Sequence, residues 1–273
     1  MKILNLIENT QGAVGCLCEH GLSFYIETEH HKLLVDTGAT DAFLQNAEQL
    51  GVDLGQVDTV ILSHGHYDHS GGLLAFAQRN PKARIWIQQG AGEAYYHKND
   101  TMEKYIGIDP RIRELPQVEW VDGDRRIDEE LFLFSHVTGR RLWPLGNREL
   151  MLKKGSVFEQ DAFLHEQYLV LEEKGKHVLI SGCAHNGILN ILDRYREIYG
   201  TAPDAVISGF HMSRKPDYSQ ADLELVRQTG EELCRLPVRF YTGHCTGEVP
   251  YGILKEVMGE QLFYVHSGEE VRL

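Results

Sequence analysis

Cysteine is scarce and odd in number: five in 273 residues, at positions 16, 18, 183, 234 and 245, in no spacing that resembles a disulfide framework. In a chain this long such a set points to free thiols in a reducing compartment, so a cytoplasmic location is expected. Long hydrophobic runs are missing too. No stretch approaches the length of a membrane span, and the opening Met1-Lys2-Ile3-Leu4-Asn5-Leu6-Ile7-Glu8 has the make-up of a strand, not the apolar core of a signal peptide. Basic residues are in short supply, 27 Lys and Arg against 40 Asp and Glu, for a formal net charge of −13. That imbalance argues against nucleic acid and against an anionic membrane surface as partners. Repeats and low-complexity linkers are also absent, so nothing marks a boundary at which to divide the chain. Its length suffices for a large core, and one domain over residues 1–273 is the expectation.

What is present is an alternation of strand and helix signals. Residues 2–8, 22–27 and 32–36 read as strands, the last two joined by a polar turn at 28–31. Residues 41–50 have helical spacing, 57–62 and 83–87 read as strands, and 72–78 as a helix between them. From about 88 to 165 the pattern loosens, with many glycines and prolines, and reads as strands on long loops with an inserted, irregular cap over a site. Strands follow at 168–171, 177–180, 205–207, 238–241 and 262–266, with helices at 186–199, 220–234 and 249–258. Asn186 is the expected N-cap of the first of these helices. Strands that open each half and then alternate with helices suit an α/β chain with two central sheets and helices outside them.

The densest chemistry lies in Ser63-His64-Gly65-His66-Tyr67-Asp68-His69-Ser70-Gly71-Gly72, where four metal-binding side chains fall within six residues. The segment leaves a buried strand and enters a helix through glycines, a turn able to aim its side chains at one point. Neutral imidazole and carboxylate are ordinary donors for a divalent cation, whereas a solvated histidine-rich turn has no need of this density. Three later segments repeat the theme: Ser181-Gly182-Cys183-Ala184-His185-Asn186-Gly187, Ser208-Gly209-Phe210-His211 and Thr242-Gly243-His244-Cys245-Thr246-Gly247. Each places a histidine beside glycine at the carboxyl end of a predicted strand, where sites in α/β proteins collect. Singly, each would pass for a packing histidine. His30, His31, His97, His165 and His177 lack this context and read as surface or structural.

His64-x-His66-x-Asp68-His69 after a buried strand, with Val35-Asp36-Thr37-Gly38 upstream, resembles the signature of the metallo-β-lactamase superfamily. The likeness spans nearly the whole chain. Glu19-His20-Gly21-Leu22-Ser23 and the segments around Cys183 and His244 further resemble the branch named for 7,8-dihydropterin-6-methyl-4-(β-D-ribofuranosyl)-aminobenzene-5′-phosphate synthase. The resemblance implies a four-layer αββα sandwich with a metal centre in a groove at one edge. It implies two divalent ions, zinc in first place with iron or manganese as alternatives. His64 and His66 would bind the first and Asp68 and His69 the second, with His185 completing the first and His244 the second. Asp36 would orient the histidine loop by hydrogen bonds, though a turn aspartate beside Gly38 would look the same.

The chain departs from the family where many members carry a bridging aspartate: the corresponding step here reads Gly182-Cys183. Cys183 is either a thiolate ligand or a small buried residue, and the buried reading is slightly preferred. The usual His-x-x-Gly step is not found between residues 70 and 180, which is why His185 takes the third-histidine role. A bound ion would bring the pKa of water towards about 7. Asp68 would help orient the nucleophile, and His211 would serve substrate as donor or proton carrier. Arg111, Arg113, Arg140 and Arg141 could meet anionic groups, but a solvated charged face explains them as well.

Hydrolysis of a phosphoester or related small, anionic metabolite is the leading expectation. The synthase reaction of the branch, joining a dihydropterin diphosphate to an arylamine with release of pyrophosphate, is the alternative. A metal or ligand carrier without turnover is a third reading, and a homo-oligomer stays open. Iron-based oxygen or nitric oxide reduction is disfavoured because no flavin-binding domain is seen, and a β-lactamase role because no export signal is.

Overall fold

Alternation within each strand dictates the layering. In residues 59–62 Val60 and Leu62 are buried on one face and Ile61 on the other. In 178–180 Val178 and Ile180 share a face opposite to Leu179. Strands apolar on both faces must be covered on both, which takes two sheets with helices outside them.

A computed structural model of the chain describes residues 1–213 and 218–273. Its first sheet runs in the order β1 (Lys2–Ile7), β2 (Ser23–Glu27), β3 (Lys32–Val35), β4 (Thr59–Leu62), β5 (Arg84–Gln88) and β8 (Val118–Val121). The second runs β17 (Leu262–Tyr264), β16 (Arg239–Thr242), β15 (Ala205–Ile207), β14 (Lys176–Ile180), β13 (Tyr168–Glu173), β10 (Leu131–Phe134) and β9 (Arg125–Arg126). The sheets are built alike. Each is antiparallel on one side, then parallel through β3, β4, β5 and β8 in the first and β14 to β17 in the second.

Ile26, Leu33, Val35 and Ile61 of the first sheet meet Leu169, Leu171, Val178 and Ile207 of the second in the middle core. Outside the first sheet lie α1 (Ala42–Gln49), the single turn α2 (Tyr67–Ser70) and α3 (Leu73–Arg79), with Phe43, Leu73 and Phe76 packed inward. Outside the second lie α4 (Ile188–Tyr199), α5 (Gln220–Leu233) and α6 (Glu248–Met258), through Ile191, Tyr195, Val226 and Leu254. The expected αββα order is the one that forms. Among the described residues no helix is long and apolar enough to cross a membrane.

Residues 88–165, read as strands on long loops with an inserted cap, hold strands that divide among three sheets. β8 extends the first sheet and β9 and β10 the second, because Leu131 and Leu133 alternate into the middle core while Phe134 faces outward. Only β6 (Tyr95–Lys98), β7 (Glu103–Tyr105), β11 (Leu150–Lys154) and β12 (Val157–Gln160) stand apart, as a four-stranded sheet in the order β12-β11-β6-β7. The glycines and prolines there punctuate short strands and do not abolish them. Asn186 does not cap α4, which starts at Ile188 after Gly187 at φ 86°. Its side-chain amide turns instead to Glu166 Oε2 and the Phe163 carbonyl, because that buried carboxylate needs donors more than an open helix end does.

Candidate metal centre

The parallel strands of both sheets end at one edge, and the loops leaving them meet there. Asp36 follows β3, residues 63–69 follow β4, Cys183 and His185 follow β14, His211 follows β15 and His244 follows β16. Two glycines permit the approach. A Cβ on Gly65 would lie 2.5 Å from the Ala91 carbonyl oxygen, and one on Gly182 would collide with Ser63 Oγ. Asp36, Ala184, His211 and His244, all non-glycine, are held at φ values of 60°, 53°, 48° and 49°. Such backbone persists only where surrounding contacts impose it.

Those contacts are visible at Asp36. Its Oδ1 accepts the Ser63 backbone N–H at 2.7 Å, and its Oδ2 accepts Ser63 Oγ–H at 2.7 Å and His69 Nδ1–H at 2.6 Å. The same pattern recurs around the centre. His64 Nδ1 lies 2.9 Å from Ser63 Oγ, His185 Nδ1 3.0 Å from Asn147 Oδ1, and His244 Nδ1 2.8 Å from Asn9 Oδ1. With Nδ1 donating to oxygen, each ring offers Nε2 as a lone pair, the usual way in which an outer partner sets a metal-ligating imidazole.

The Nε2 atoms of His64, His66 and His185 are buried and have no hydrogen-bond partner among the described residues. Leaving one buried polar atom unsatisfied costs about 1–3 kcal/mol. Three such atoms on rings whose centroids are 4.6–4.9 Å apart are better explained by a missing common partner. Beside them His69 Nε2 lies 3.2 Å from both His244 Nε2 and Cys183 Sγ, and Asp68 Oδ2 is 3.4 Å from His244 Nε2. The donor atoms of Asp68, His69, Cys183 and His244 lie within 4.8 Å of one another, as do those of His64, Cys183 and His185. This donor chemistry fits divalent cations.

Burial pushes the His64 and His185 imidazoles well down and His66 to about 3, keeping all three neutral. Burial also opposes charge on His69, but the Asp36 and Asp68 carboxylates override it and raise that ring to about 9. Asp68 moves well below the usual carboxylate range: burial opposes ionisation, and the neighbouring His69 and His244 rings win. Without an ion, a proton on His69 thus supplies the positive charge that Asp68 requires.

The structure brings His64, His66, Asp68, His69, His185 and His244 together around one centre, with Asp36 bonded behind it. His211 is half-buried beside them, its ring centroid 4.0 Å from that of His185. A cavity of about 320 Å³ opens over the centre, lined by His66, Asp68, His185 and His211 on the floor and by Met102, Lys104 and Ile106 from the separate sheet. His97, read as surface or structural, lines it too. His165 is fully buried: its Nδ1 accepts the Gly65 N–H at 2.9 Å and its Nε2 meets Asp161 at 3.0 Å, so it braces the histidine loop. Sequence reasoning also missed Asn9, Asn147 and Glu166, ordinary polar residues far along the chain. Arg111 pairs with Asp109, Arg141 with Asp193 and Glu232, and Arg140 bonds to carbonyls and Asn186. Arg113 lies against Gly92. Among the described residues that line the cavity, Lys104, 3.2 Å from the Tyr67 hydroxyl, supplies a cation.

Comparison with known proteins agrees with this geometry. The metallo-beta-lactamase superfamily profile matches residues 17–151, the stretch that holds Asp36 and the histidine loop. Over residues 17–151 the chain therefore matches a metallo-beta-lactamase superfamily domain, and it has that fold, which implies metal binding. Over its whole length it is 28% identical to the 7,8-dihydropterin-6-methyl-4-(beta-D-ribofuranosyl)-aminobenzene-5'-phosphate synthase of Methanocaldococcus jannaschii, covering 100% of this chain and 96% of that one. The crystal structure of Tm1679, a metal-dependent hydrolase of the beta-lactamase superfamily, aligns at 29% identity and a TM-score of 0.82 over 100% of this chain and 99% of that one. Zinc-bound PqqB from Methylobacterium extorquens, at 13% identity, TM-score 0.59 and full coverage of both chains, shares the fold.

Proposed function

We propose that this protein is a metal-dependent enzyme holding two divalent ions, zinc foremost, that hydrolyses a phosphoester or related small anionic metabolite. The observation that carries this is the convergence of three buried imidazole nitrogens, unpartnered among the described residues, beside the Asp68, His69 and His244 cluster at the floor of one cavity. His64, His66 and His185 hold one ion, and Asp68, His69 and His244 the other. Such ions, when bound, acidify water at neutral pH and stabilise negative charge developing on oxygen. The chain's own groups do the rest. Asp36 fixes His69 and the loop, Asp68 orients the nucleophile, and His211 carries a proton to or from substrate at the cavity wall. Lys104 offers a positive charge to the anionic end of the substrate.

A second reading, transfer of the kind named by the synthase relative, is supported by that full-length similarity. The two differ in whether water or an amine attacks. The cavity of about 320 Å³ is at the small end of ligand sites, which favours one small substrate with water over two large partners. The test is metal content by inductively coupled plasma mass spectrometry, paired with turnover of bis(p-nitrophenyl) phosphate before and after chelation. About two ions per chain and chelator-sensitive turnover are expected. Two ions without phosphoester turnover would move the assignment to transfer, and protein that takes up no metal would sink both readings.

A further inference from the structure

Cys183 belongs to both ligand sets. Its donor atom lies within 4.8 Å of those of His64 and His185, and likewise of those of Asp68, His69 and His244. The side chain is buried, at 3% exposure, and Sγ stands 3.2 Å from His69 Nε2. The backbone around it is constrained: a Cβ on Gly182 would collide with Ser63, and Ala184 sits at φ 53°. The neighbouring thiol is differently engaged. Cys245 Sγ accepts the His211 backbone N–H at 3.3 Å and faces the Cys183 carbonyl oxygen at 3.6 Å. Cys245 Sγ also lies within 4.8 Å of the donor atoms of His211 and Cys183, but it belongs to neither ligand set, whereas Cys183 belongs to both.

Charge makes the same case. Three neutral imidazoles face one ion, and two imidazoles with one carboxylate face the other. Two divalent cations would then share a single protein negative charge while repelling each other across about 3.5–4 Å, the usual two-metal spacing. An anionic sulfur between the sets lowers that repulsion, and zinc accepts thiolate as readily as imidazole. We propose that Cys183 is a thiolate ligand shared by both ions, its thiol proton passing to solvent as metal binds and no atom changing oxidation state. This rests on the two-ion assignment above.

Zinc-edge X-ray absorption on protein loaded with zinc alone tests it. A shared thiolate gives about one sulfur per zinc at about 2.3 Å when two zincs are bound. Cys183→Ser should abolish the sulfur signal and weaken zinc binding more than about tenfold. Cys245→Ser should keep the signal. Cys183→Asp serves where the serine variant does not fold: it should bind two zincs with no sulfur. Cobalt(II) provides a second readout, a near-ultraviolet sulfur-to-cobalt band lost with Cys183. About half a sulfur per zinc would make Cys183 a ligand to one ion and overturn the sharing. Two zincs without sulfur, or a sulfur signal that survives in Cys183→Ser, would overturn the ligation itself. Wild-type protein that binds no metal would instead remove the two-ion assignment.

Discussion

The two sheets feed the centre in different ways. The first delivers His64, His66, Asp68 and His69 from one loop after β4, held by Asp36 from the adjacent strand. The second delivers its residues strand by strand: Cys183 and His185 after β14, His211 after β15, His244 after β16. Their supports are distant, since the partner of the His185 ring is Asn147, 38 residues away, and that of the His244 ring is Asn9, 235 residues away. One side of the centre is therefore largely local, while the other exists only once both sheets have closed. Cooperative burial of the middle core is what joins them.

This contrast can be broken at points of decreasing effect. His66→Ala should remove metal and activity together, with a rate loss of at least about 10²–10³-fold, the scale for losing transition-state charge stabilisation; full metal retention by mass spectrometry would reverse its assignment. His211→Ala should lower kcat by about 10²–10⁴-fold with metal retained, as for a general acid or base; loss of metal would make it a ligand. Asp36→Ala and Asn147→Ala should each weaken metal binding by about 10–100-fold in competition with a chelator, the range for outer partners of a ligand. If the first side is the more local, Asp36→Ala should also disturb His64 and His69 together, visible in histidine NMR signals, whereas Asn147→Ala should disturb His185 alone. Lys104→Ala should raise KM for an anionic substrate several-fold and leave metal content unchanged.

The metal-free protein offers a further separation by pH. His66, lowered to about 3 in the fold, stays neutral while the unfolded chain takes up a proton below its ordinary value near 6.5. Its burial therefore costs stability progressively as pH falls from about 6.5 towards 3, and His64 and His185 act in the same direction. His69, raised to about 9, contributes stability that is fully present below about 6.5 and lost as pH rises to about 9. Urea unfolding of chelated protein across this range should show a maximum near neutrality. Bound metal should flatten the alkaline limb, because an ion takes the place of the His69 proton; an unchanged limb would separate His69 from the metal.

Some of this was legible in one dimension. The apolar run at 57–62 read as a buried strand and the strand–helix order suited two central sheets with helices outside them, while the four layers came with the family resemblance. Four ligand-type side chains within residues 64–69, on a glycine-flanked turn, announced the centre without help from any distant residue. The third sheet was not legible, because strands of three to five residues between glycines carry too few periods to distinguish them from loop. Nor was the role of His165, or of Asn9 and Asn147. Their meaning lies in which ring nitrogen they meet, and nothing local to an asparagine distinguishes that contact from a surface turn. Sequence by itself determined the chemistry available and the strands that end beside it. Tertiary structure decided which nitrogen of each ring faces inward, that Cys183 rather than Cys245 lies between the ligand sets, and that Lys104 rather than the arginines lines the cavity. The physical reason is that periodicity and turn chemistry act over a few residues, whereas the direction of a buried side chain is set by partners that folding brings from anywhere in the chain.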